Sequence, residues 1–86
     1  MGEIRVSELY LGAIRQQIDK VDRELAKVLE ARLQLVMQVA EYKKSKGLPV
    51  KDAAREAQVI SKVQGLLENQ QYAAAVGGIM RSIIDA

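Results

Sequence analysis

The chain has 86 residues, a net charge of +2, 49% apolar and 28% charged residues, which describes one small folded domain rather than a disordered segment. The charge is too slight, and the basic stretches too poor in aromatic residues, for a nucleic-acid surface, and no apolar run is long enough to cross a bilayer. Histidine and cysteine are both missing, so the commonest general base, the commonest transition-metal ligand, the thiol nucleophile and disulfides are excluded; any chemistry has to come from positioning and fixed charge.

The first predicted helix runs from about Ser7 to Lys46. Ser7 is the expected N-cap, with Glu8 in the first turn. Lys43, Lys44 and Lys46 suit a helix C-terminus, Gly47 suits a left-handed cap, and Pro49 follows. Forty residues make a rod of ~60 Å, whereas a compact chain of this size has a radius of gyration of only ~12 Å. The remaining residues cannot cover such a rod, so the reading predicts a two-fold partner with the long helices laid together.

One face of this helix carries apolar residues at alternating steps of three and four: Leu11, Ile14, Ile18, Val21, Leu25 and Val28. The next step lands on Arg32, after which Leu35, Val39 and Tyr42 resume the seam. A charge in mid-seam is costly unless something neutralises it. Glu30 is too close in sequence to face Arg32, so a carboxylate from elsewhere in the protein and an anionic ligand remain as equal explanations. Lys43 stands almost three turns further on, ~16 Å along the same face, with Val36 and Val39 between. Alone, Lys43 reads as compensation of the helix dipole. Together with Arg32 it suits a small molecule with an apolar body and anionic groups. Arg15 lies beside the seam, ~25 Å from Arg32; only an antiparallel partner helix brings both to one small ligand. Alone, Arg15 reads as a surface residue paired with Asp19.

The second helix is predicted from Asp52, its N-cap, to about Leu67, with Ala57, Ile60, Val63 or Gln64, and Leu67 inward. Asp52 and Glu56 suit the positive end of the helix dipole, but Arg55 does not and asks for a carboxylate. A routine capped helix start explains the two acids and leaves Arg55 over. Glu68 to Gln71 form a polar connection. The third helix spans about Tyr72 to Ala86, with Val76, Ile79, Met80, Ile83 and Ile84 inward. Gly77 and Gly78 inside it cost roughly 1 kcal/mol each relative to alanine, which points to a close approach between helices. The chain stops without a C-cap signal, so the third helix is expected to be cut short. Met1 to Ser7 lack the order of a signal peptide, and a cytoplasmic location is the default expectation.

Four segments then stand in register: Ala13-Ile14-Arg15-Gln16-Gln17-Ile18-Asp19, Leu29-Glu30-Ala31-Arg32, Val39-Ala40-Glu41-Tyr42-Lys43, and Leu48-Pro49-Val50-Lys51-Asp52-Ala53-Ala54-Arg55-Glu56. In order and spacing they resemble the all-helical chorismate mutases, over nearly the whole chain. The resemblance implies an all-α fold, three helices per protomer in an intertwined homodimer, with residues 1–86 forming a single domain. It implies the Claisen rearrangement of chorismate to prephenate, in aromatic amino-acid biosynthesis, with no cofactor and no metal. Carried over by position, Arg32 and Arg55 would bind carboxylates of the substrate, and Arg15 would enter from the other protomer. Lys43 would meet the ether oxygen and a carboxylate, Asp52 and Glu56 would hold the ring hydroxyl, and Val39 would line the apolar strip. Arg32, Lys43 and Glu56 are the expected catalytic residues.

The likeness departs at the end. The family continues past Ile83-Ile84-Asp85-Ala86 with a hydroxyl residue and, one turn on, a Gln or Glu facing the ether oxygen. Neither is in this sequence, so reduced activity is expected of these 86 residues. Three alternatives accompany the enzyme reading: a non-catalytic dimerisation or regulatory module of a fused shikimate-pathway enzyme, an isochorismate pyruvate lyase, and a plain helical adaptor. The last leaves Arg15, Arg32, Lys43 and Arg55 without a shared purpose.

Overall fold

The computed structural model describes the backbone of residues 2–86 and the side chains from Glu8 onward. The fold is all-α: α1 at Gly2–Ser45, α2 at Ala53–Gly65 and α3 at Ala73–Asp85, with a single 3-10 turn at Gln70–Tyr72 before α3. The chain divides into two units, residues 1–48 and 49–86.

The first unit is α1 and its stop. At 44 residues the helix measures ~66 Å. It begins ahead of the start expected at Ser7, since Glu3 to Val6 contain neither glycine nor proline to interrupt it; the Ser7 cap lies outside the described side chains. The stop follows the sequence signal. Gly47 takes φ +67, which a side chain would strain. Leu48 N–H donates to the Lys43 carbonyl at 2.8 Å and Gly47 N–H to that of Lys44 at 3.3 Å. These two bonds make a Schellman cap, and the Ser45 hydroxyl adds a third bond to the Tyr42 carbonyl at 2.8 Å.

Along α1 the apolar seam is uncovered except at Ile14, which is half-buried, and runs from Leu11 at 46% exposure to Val28 at 64%. Ile18, Val21, Leu25, Leu35, Val39 and Tyr42 fall between. Among the described residues only Met80 of α3 is a buried hydrophobic.

The second unit is a helical hairpin in which α2 packs against α3. Asp52 caps α2, its carboxylate accepting the Arg55 N–H at 3.1 Å. Val59, Ile60 and Val63 of α2 and Leu67 just beyond it are half-buried, as are Val76, Ile83 and Ile84 around Met80. Ala57 and Ile79, expected inward, are exposed; the α3 face centres on Met80, one residue and ~100° round the helix from Ile79. The polar connection is wired by its own side chains. Gln70 Nε2 donates to the carbonyls of Gln64 (3.1 Å) and Leu67 (2.7 Å), satisfying the free end of α2. Asn69 Oδ1 accepts the Gln71 N–H at 3.1 Å and caps the 3-10 turn.

One of the two glycines of α3 now has a reason. Gln64 Nε2 donates to the Ala73 carbonyl at 2.9 Å across the hairpin. A Cβ on Gly77 would overlap that amide, lying 3.2 Å from Gln64 Cδ and 3.7 Å from Ile60 Cγ2. Gly78 has nothing within 4 Å.

Candidate active site

The expected site residues divide between the two units. On α1, Arg32 and Lys43 are half-buried and Arg15 is exposed. Helical geometry puts Arg32 and Lys43 on one face and Arg15 about a quarter turn round from Arg32. Val39, between the two cations, is 52% exposed. Among the described residues, Arg32 has no carboxylate partner and Arg15 does not pair with Asp19. Of the two explanations for a cation in the seam, an internal ion pair is therefore not made within the described chain.

The second unit gathers Asp52, Arg55 and Glu56 on the first turn of α2. Capping holds Asp52 in place, and the free N–H groups and helix dipole there favour both acids. The Arg55 guanidinium is exposed and forms no ion pair among the described residues. Glu56 is different. Its Oε1 accepts a hydrogen bond from Arg81 Nη1 at 2.9 Å, and its side chain is only 18% exposed. The same Nη1 lies 3.4 Å from Asp85 Oδ1, one turn further along α3. The hydrogen bond to Glu56 is the main reason that the pKa of the Arg81 guanidinium is raised above its ordinary value.

Arg81 had no role in the sequence reading. A usable signal was present in the hairpin register: Gln64 meets Ala73 and Ile60 approaches Gly77, so one more helical turn outward pairs Glu56 with residue 81. Finding it required knowing the turn.

The model of the chorismate mutase type II family matches residues 14–86, and the chain belongs to that family. The match runs through both units. Over 67 residues the chain is 30% identical to a chorismate mutase of Methanocaldococcus jannaschii, covering 78% of this chain and 68% of that protein. Over 51 residues it is 45% identical to the T-protein of Enterobacter agglomerans, covering 59% of this chain but only 14% of that protein. No solved structure matches.

Proposed function

We propose that the chain catalyses the rearrangement of chorismate to prephenate as a homodimer. The observation that carries this reading is Arg32, a half-buried guanidinium in an apolar seam with no carboxylate partner among the described residues, on the same helix face as Lys43. Membership of the family supports the same chemistry.

The reaction is unimolecular and moves no proton. The substrate is a dianion with an apolar ring, so guanidinium groups can fold its enolpyruvyl arm over the ring through bidentate contacts. Arg32 and Arg55 take carboxylates, and Arg15 of a second copy completes the grip. Negative charge grows on the ether oxygen as its bond to the ring breaks, and the Lys43 ammonium meets it. Asp52 and Glu56 accept the ring hydroxyl, and Val39 packs against the ring. Even a low-end enzymatic acceleration needs ~8 kcal/mol, within reach of orientation and fixed charge together. The exposed seam of α1 is the support for a second copy: burying one Val or Leu side chain contributes about 1.5–3 kcal/mol. A cytoplasmic location and a place in aromatic amino-acid biosynthesis belong to the same proposal.

Loss of chorismate absorbance tests it. Wild-type protein should turn over, and Arg32→Ala should lower the rate at least about a hundredfold. Wild-type conversion at the uncatalysed rate would transfer the chain to a regulatory module, and salicylate formed from isochorismate would make it a lyase.

A further inference from the structure

We infer that Arg81 is a positioning residue for the substrate site: it holds Glu56 so that one carboxylate oxygen stays available to the ring hydroxyl. This rests on the chorismate mutase reading and deepens it.

A glutamate has three rotatable bonds, and on the first turn of α2 nothing in its own helix fixes them. Arg81 does so from α3. It takes Oε1 at 2.9 Å, while Oε2 has no hydrogen-bond partner among the described residues. Asp85 Oδ1 accepts from the same Nη1 at 3.4 Å. The backbone supports the arrangement, because the antiparallel hairpin sets the N-terminus of α2 beside the C-terminus of α3. The acid at the first of these ends is favoured by the helix dipole.

The test is steady-state kinetics on Arg81→Ala, Arg81→Lys, Glu56→Gln and the Arg81→Ala/Glu56→Gln double variant, with thermal melting of each. A hydroxyl contact made equally in the ground and transition states appears mainly in KM. Arg81→Ala should raise KM about tenfold, within the range that small positioning errors cost, and leave kcat within about twofold. Arg81→Lys should recover part of the loss. In the Glu56→Gln background, Arg81→Ala should add little, because the two residues act as one unit. A merely structural salt bridge would instead lower the melting temperature and leave KM unchanged. An unchanged KM in Arg81→Ala, or an equal penalty with and without Glu56, overturns the inference while leaving the activity standing. A wild type without turnover removes both. Should Arg81→Ala melt below the assay temperature, Arg81→Lys and Arg81→Met carry the same comparison.

Discussion

The helix α1 and the α2–α3 hairpin solve the same problem in opposite ways. Both carry an apolar face that water disfavours. The hairpin covers part of its own: Met80 is buried to 9% exposure, its neighbours are half-buried, and Gln64, Gln70 and Asn69 tie the turn together. α1 is more than three times as long as either hairpin helix and covers almost none, with Val21, Val28 and Leu35 at 60% exposure or more. Its backbone and its C-terminal end need no help, since every interior hydrogen bond is local and the Schellman cap closes the last turn. Its side chains do need help, because most helical stability in proteins comes from packing an amphipathic face. The hairpin therefore specifies itself through contacts within the chain, whereas α1 specifies only its own outline, and in the proposed dimer a second copy supplies the rest.

The sharpest way to separate these two behaviours is Arg32. Replacing it with leucine would complete the seam, so Arg32→Leu should cut turnover at least about a hundredfold while the melting temperature stays level or rises. A loss of both would mean that Arg32 is part of the packing rather than of a binding site. Next in size is Val28→Glu, which places a carboxylate in the middle of the seam of each copy. Sedimentation velocity should show a dimer becoming a monomer; a dimer that persists would move the contact surface elsewhere on the chain.

Asp52 distinguishes its two assigned roles. Asp52→Ala should cost about 1 kcal/mol of stability through the lost cap, and Asp52→Asn, which can still cap, much less. If Asp52 also meets the ring hydroxyl, Asp52→Asn will reduce turnover in urea-stable protein; unchanged kinetics would leave it a cap alone. The smallest effect belongs to the paired glycines. Gly78→Ala should stabilise the hairpin by up to about 1 kcal/mol. Gly77→Ala should forfeit that gain, because its Cβ displaces Gln64 from the Ala73 carbonyl. Equal urea midpoints for the two variants would contradict the close approach.

How much of this could be read from the residues depended on how local each signal is. The Gly47 stop and the Asp52 cap involve neighbours three or four positions apart, and both stand as the sequence reading had them. The seam was also visible, because a helix converts spacing directly into a face. The start of α1 was misjudged because a capping residue such as Ser7 does not end a helix that has no breaker ahead of it. Ala57 and Ile79 were assigned inward because periodicity defines a stripe but not which edge of it meets the neighbour. Arg81 was missed for a related reason: its partner is 25 positions away, and only the hairpin register brings them to one level.

The sequence by itself determined that the chain is helical, where its helices stop, and that cations interrupt an apolar seam on the longest of them. Hydrogen bonds to neighbours in the chain and the steady turn of the α-helix are enough for that. Tertiary structure alone decided which glycine must stay small and which arginine holds Glu56. Those answers come from two helices facing each other across a turn, and the geometry of that approach is written in no single segment.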